Sequence, residues 1–131
     1  MSLKPLMIAS SMIELGAGLG LLCLPSMVAE LLTGVELASP EGLTIARMAG
    51  CGLTALGISC WMAHNQVGRG PVVSMLFYNV AVAMVLAYAG AVLKLSGWVL
   101  WAAVGLHGGM SVWCLIGLLR GSQALPVDLP R

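Results

Sequence analysis

Charged side chains are scarce in this chain: they make up 8% of its 131 residues, and aromatic side chains make up only 5%. A soluble domain carries about 25% charged residues, so a water-exposed surface of ordinary composition is excluded. Hydrophobic residues account for 60% of the chain, and the mean hydropathy is +1.00. A chain of this length cannot bury so much apolar surface in one aqueous core. The composition therefore predicts a polytopic membrane protein whose solvent is the lipid bilayer.

The sequence also lacks the patterns that mark several common activities. Its six Lys and Arg residues are scattered and the formal net charge is +1, so nucleic-acid binding is not expected. It contains no CxxC pair, zinc motif, nucleophile–base pair or dinucleotide fingerprint. We therefore expect no cofactor, no metal site and no catalytic residues, and do not predict an enzyme. The dispersed cysteines are expected to be free thiols: Cys23, Cys51, Cys60 and Cys114.

Four hydrophobic runs are each close to the roughly 20 residues that an α-helix needs to cross a bilayer. They cover residues 6–24, 43–64, 72–93 and 97–119. Ser39 and Pro40 match an N-cap and the first position of a helix. The predicted fold class is all-α, a single four-helix transmembrane bundle over residues 1–131. Residues 27–33 are too short to span and are predicted to lie at the interface, the alternative being an extension of the first helix beyond a kink at Pro25.

The distribution of cations predicts the orientation of the bundle. Glu14 interrupts the first run and no small-x-small cleavage site follows it, so we expect this helix to be retained and not removed as a signal peptide. With four spans, both termini share one side with the loop between the second and third spans. The positive-inside rule then predicts cytoplasmic termini in an inner (plasma) membrane. The cations on that side are Lys4, Arg69, Arg120 and Arg131.

Each hydrophobic run carries one strongly polar residue. Small residues accompany it at helical spacing, and Gly16 with Gly20 forms a GxxxG pair on the first span; such residues let helices approach closely in lipid. A rise of about 1.5 Å per residue brings three of the polar residues within one or two turns of the same depth, while the arginine lies farther out and reaches inward or snorkels outward. The pattern predicts an intramembrane polar cluster that serves as a proton or ligand site: Glu14, Asn79, His107 and Arg47.

Three functional hypotheses fit this cluster. In the first, the protein is an accessory or assembly subunit of a larger membrane complex, or a homo-oligomer, and the cluster fixes helix packing. In the second, it is a proton-coupled carrier of a small or lipophilic solute, with Glu14 and His107 as the titrating pair. In the third, the cluster is a polar pocket for a lipid headgroup or a quinone. The expected partners are the lipid bilayer and other membrane subunits or further copies of the chain.

Several short runs resemble small uncharacterised bacterial inner-membrane proteins with four helices. These runs are residues 46–50, the Leu56-Gly57 pair with Trp61, the Tyr78-Asn79 pair, and the Leu100-Trp101 pair with His107. The resemblance covers most of the chain and implies four membrane helices, but no activity. The chain is also similar to small multidrug-resistance transporters in its helix number and in the glutamate within the first helix. It lacks the aromatic and glycine signatures of their later helices.

Overall fold

The computed structural model describes residues 3–122, and all regular secondary structure in this range is helical. The four long helices are long and apolar enough to cross a membrane, which confirms the all-α prediction at that level. Arg131, one of the cations used to predict orientation, lies outside the described residues. The helices are α1 (Lys4–Cys23), α2 (Pro25–Thr33), α3 (Pro40–Ala63), α4 (Arg69–Ala91) and α5 (Leu100–Ser122).

The ends of α2 and α3 follow from local sequence. The Ser39 hydroxyl accepts a hydrogen bond from the backbone N–H of Gly42 at 3.1 Å, so the predicted N-cap is confirmed. Helix α2 is separated from α1 by the non-helical backbone of Leu24, with φ −132° and ψ 54°. It ends at Gly34, whose φ of 77° is a left-handed conformation that glycine adopts without strain. Residues 27–33 therefore belong to a separate short helix.

Helix α5 begins at Leu100, three residues later than the sequence predicted, because the preceding residues dock on α2. The N–H of Ser96 donates to the carbonyl of Thr33 at 3.1 Å, and the N–H of Val99 donates to the carbonyl of Leu31 at 3.3 Å. Gly97 is buried between them, and a Cβ there would lie 2.2 Å from the carbonyl carbon of Leu32. The loop thus supplies donors that the last turn of α2 cannot find within its own helix.

The four long helices pack as two antiparallel pairs, α1 with α3 and α4 with α5. In the first pair the backbones touch at glycines. A Cβ on Gly18 would lie 2.6 Å from the backbone nitrogen of Thr54, and a Cβ on Gly50 would lie 2.8 Å from the carbonyl oxygen of Gly18. Gly16, by contrast, is exposed, and a Cβ added to it would have no atom of another residue within 4 Å. The GxxxG pair of α1 is therefore not the contact surface.

The two pairs meet mainly in the half of the bundle that contains the start of α1 and the end of α5. We call this half the terminal side, and the half that contains α2 the loop side. On the terminal side, Lys4 Nζ donates to Asn65 Oδ1 at 3.0 Å, and Leu3 packs against Gly117. Buried side chains fill the space between the helices here: Leu6, Met7, Cys60, Val72, Met75, Met110 and Cys114. All four cysteines are free, as predicted.

Candidate functional site

A cavity of about 240 Å³ lies between the two helix pairs on the loop side of the packed core. Its walls are apolar and come from every long helix, including Leu53 of α3, Val82 of α4 and Ala103 of α5. Val28 and Leu32 of α2 also line it, so the short helix covers the end of the cavity that faces the loop side. Buried core residues fill the space between the pairs on the terminal side, and the cavity lies beyond them.

Three polar side chains, those of Glu14, Tyr78 and His107, line the same cavity. Glu14 is only 1% exposed, and its Oε2 accepts a hydrogen bond from the Tyr78 hydroxyl at 2.8 Å. The rings of Tyr78 and His107 meet edge to face, with centroids 5.8 Å apart and planes 79° apart. This geometry is favourable for aromatic rings. The three groups therefore form one contiguous polar surface.

Asn79 supports this surface from behind, since it is buried but does not line the cavity. Its Nδ2 donates to the carbonyl of Met75, one turn earlier in α4, at 2.8 Å. Its Oδ1 lies 2.8 Å from Nδ1 of His107. A carbonyl oxygen only accepts hydrogen bonds, so the Met75 carbonyl fixes which way the amide points. Asn79 thereby holds the His107 ring in place.

Helical periodicity explains why these residues lie at the same level. On α1, Ser10, Glu14 and Gly18 follow one buried stripe at a spacing of four residues. On α4, Asn79 continues the buried stripe of Val72 and Met75. Each stripe is apolar or small toward the terminal side and becomes polar where the core ends. Glu14, Tyr78 and His107 therefore form the floor of the cavity, next to the packed core.

Arg47 does not join the other three predicted residues. Its side chain is exposed on α3, about seven residues or roughly 10 Å beyond the start of that helix at 1.5 Å per residue. The partner that Glu14 finds among the described residues is Tyr78, and neither Arg47 nor His107 forms an ion pair with it there. The structure therefore brings together Glu14, Asn79 and His107 and leaves Arg47 on the outer surface.

Comparison of the chain with protein-family models, with curated protein sequences and with solved structures found no match. Only the geometry of the cavity and its polar side chains therefore bears on function. That geometry combines an apolar volume with a few convergent polar groups, which is the usual composition of a small-molecule site.

Tyr78 is the site residue that the sequence analysis did not identify. It precedes Asn79, and neighbouring residues on a helix point about 100° apart, so a single interior stripe cannot include both. Its side-chain chemistry could have identified it, because a tyrosine in an apolar span needs a hydrogen-bond partner when it is buried. The nearest acceptor at its depth is the carboxylate of Glu14, which accepts that bond.

Proposed function

We propose that this chain is an integral membrane protein that binds a small, mostly apolar molecule in the cavity between its helix pairs. The cavity carries this proposal, because about 240 Å³ of apolar volume ends on three polar side chains. Drug-sized sites span about 300–1,000 Å³, whereas an engineered cavity of about 150 Å³ holds benzene. The volume therefore fits one ring with a short substituent, or the end of a longer lipid-like molecule.

The position of the polar groups favours binding over packing alone. In a purely structural cluster, polar side chains close on one another and leave no space beside them. Here Glu14 and His107 each have one polar neighbour and also line open volume. A ligand in that volume can reach both groups without displacing any side chain. This favours the pocket hypothesis among the three raised by the sequence.

The charge and aromatic distributions support a multi-pass arrangement with both termini in the cytoplasm. Lys4 and Arg69 lie at the terminal side, and Trp98 and Trp101 are exposed near the loop side. Cations favour the cytoplasmic face, and tryptophans favour membrane interfaces. We propose that the protein resides in the bacterial inner membrane, with the cavity opening from the outer half of the bilayer.

Filling the cavity tests the proposal. Ala103 lines the cavity, whereas the neighbouring Ala102 is exposed and does not. We expect Ala103→Phe to abolish saturable binding of a neutral single-ring probe, such as 2-(4-fluorophenyl)ethanol, to the protein in lipid nanodiscs. Fluorine NMR of the probe reports the bound fraction. Ala102→Phe adds the same ring to the outer face of α5 and should leave binding unchanged; equal loss in both variants, or no saturable binding to the unaltered protein, would reject the proposal.

A second candidate function is that of a subunit in a homo-oligomer or a larger membrane complex. The observation that favours it is Arg47, which is exposed within a helix of membrane-spanning length. Charged residues within membrane-spanning segments usually pair with one another, so an acidic group of another subunit is a suitable partner for Arg47.

Native mass spectrometry from mild detergent tests this candidate. We expect the unaltered protein to appear as an assembly, and Arg47→Leu to release the single chain. Arg47→Lys retains the positive charge and should retain the assembly. A protein that is a single chain before any substitution would exclude this candidate while leaving the cavity proposal intact.

A further inference from the structure

We infer that the molecule bound in the cavity presents a primary amine to Glu14 and His107, an inference that rests on the proposed function. It specifies the chemistry of the polar end of the ligand. Three features of the cavity floor carry it: the hydrogen-bonding state of His107, the partners of Glu14, and the absence of cations from the described lining residues.

His107 offers an acceptor to the cavity. Asn79 Nδ2 is committed to the Met75 carbonyl, so Asn79 faces His107 with its oxygen. The Nδ1 atom of His107 must then carry a hydrogen and donate it. In neutral imidazole one nitrogen donates and the other accepts, so Nε2 keeps its lone pair. Since Nδ1 is engaged by Asn79 and His107 lines the cavity, Nε2 is the ring nitrogen left for a ligand.

Glu14 offers a second acceptor to the same cavity. Its Oε2 accepts from Tyr78, and the Tyr78 hydroxyl hydrogen is used in that bond. No hydrogen bond from a described residue reaches Oε1. Among the described residues that line the cavity, only Glu14, Tyr78 and His107 have polar side chains. With Glu14 ionised and His107 neutral, a carbonyl or ether group would meet acceptors and find no donor, whereas a group with several N–H donors satisfies both acceptors.

Charge selects the amine among possible donors. The lining residues of the described chain include no Lys or Arg, so beside a neutral His107 nothing there balances an ionised Glu14. A carboxylate removed from water without a counter-charge is strongly disfavoured. A protonated primary amine supplies both the counter-charge and three N–H donors, and charged hydrogen bonds are stronger than neutral ones. An alcohol supplies one donor and no charge.

A series of three matched probes tests this inference on the unaltered protein. They share one fluorophenyl ring and a two-carbon chain, and they end in a primary amine, an alcohol or a trimethylammonium group. Fluorine NMR in nanodiscs of phosphatidylcholine gives each dissociation constant, with Ala103→Phe protein as the background for probe dissolved in lipid. We expect the amine to bind at least about tenfold more tightly than either of the other probes, because only the amine combines charge with donors.

Glu14→Gln adds a second test, because glutamine keeps the shape of the side chain and removes its charge. We expect it to weaken amine binding by about tenfold or more and to leave alcohol binding within about threefold. Equal binding of the amine and the alcohol, or of the amine and the trimethylammonium probe, would overturn the inference. A Glu14→Gln protein that folds and binds the amine with unchanged affinity would also overturn the inference. If Glu14→Gln does not fold, the probe series decides alone.

The outcomes also separate this inference from the proposed function. If the alcohol binds saturably, Ala103→Phe blocks that binding, and the amine binds no more tightly, the proposed function stands and the inference of an amine ligand is rejected. Failure of all three probes to bind the unaltered protein rejects both.

Discussion

At the scale of single residues, Asn79 determines how His107 can act. Its Nδ2 donates to the Met75 carbonyl, and its Oδ1 faces Nδ1 of the His107 ring. Because the first bond fixes the orientation of the amide, the oxygen is the atom that His107 meets. Histidine has two nitrogens with different roles, and the hydrogen bond made by one sets the role of the other. Asn79 is therefore a positioning residue, since it acts on the cavity through His107 without lining the cavity itself.

Replacing Asn79 should change the tautomer of His107. We expect neutral His107 to carry its hydrogen on Nδ1 in the unaltered protein, because Asn79 accepts from that atom. In Asn79→Leu this acceptor is lost, and the hydrogen should move in large part to Nε2. Nitrogen-15 shifts of the imidazole ring distinguish the two forms. His64, at the end of α3, is the internal control and should not change; an Nε2 hydrogen already present on His107 before the substitution would contradict the expectation.

Residue chemistry in the sequence pointed to Glu14, Asn79 and His107 because ionisable and amide groups are rare in apolar spans. The same reasoning included Arg47, which lies on the outer surface. Depth along a helix follows from counting residues, but the direction of a long side chain depends on how the helix is rotated in the bundle. On α3, Gly50 and Gly57 are buried against α1, and Arg47 lies at the edge of that face, where its side chain is exposed.

At the scale of helices, backbone contact at glycine organises the α1–α3 pair. Gly18 and Gly50 face one another so closely that either Cβ would overlap backbone atoms of the other helix. Backbone atoms cannot rotate away as a side chain end can, so these positions accept no larger residue without separating the helices. The approach also places Glu14 on the inner face of α1, because Gly18 lies one turn away on the same stripe.

A single methyl group should distinguish contact glycines from exposed ones. We expect Gly50→Ala to lower the free energy of unfolding by about 1–3 kcal/mol, the usual cost of overpacking. Gly52→Ala should leave stability unchanged or raise it by up to about 1 kcal/mol, because alanine is the better helix former and no atom lies within 4 Å of the new methyl group. Thermal or denaturant unfolding in detergent measures both variants. Similar losses for the two would argue against this α1–α3 contact.

The sequence identified the helices of this pair but not their contact surface. Gly16 and Gly20 form the motif that most often marks close packing, yet Gly16 is exposed and Gly18 is buried. With glycines at 16, 18 and 20, several faces of α1 could meet a partner. The choice depends on the matching helix, where Gly50 and Thr54 fit around Gly18, and only a structure shows that match.

At the scale of the whole molecule, the two helix pairs form a bundle that is closed on one side and hollow on the other. The packed core joins the pairs on the terminal side, and the cavity separates them on the loop side. Four long apolar helices and their approximate limits followed from hydropathy and length, because a helix that crosses a membrane requires both. The cavity could not be predicted from the sequence, since it depends on side chains from all four long helices and on where α2 docks.

Cysteine labelling tests the proposed orientation of the bundle. In a protein without its native cysteines, Ala38→Cys places a thiol in the loop before α3, and Gln66→Cys places one in the loop after it; both positions are exposed. We expect a membrane-impermeant maleimide added to intact cells to label position 38 and not position 66, because cations favour the cytoplasmic face. Labelling of position 66 alone would show that the orientation is the opposite of the one proposed. Disrupted cells provide the control, in which both positions should react.

The docking of α2 bears on the order in which the protein is made. The carbonyls of Leu31 and Thr33 receive donors from Val99 and Ser96, which are synthesised only after α3 and α4. Until those residues emerge from the ribosome, the last turn of α2 must find other donors, such as water. Helix α2, which covers one end of the cavity, therefore docks fully only late in synthesis, although its sequence comes early. A chain that stops after α4 would contain the whole of α2 and still lack the two N–H groups that fasten it.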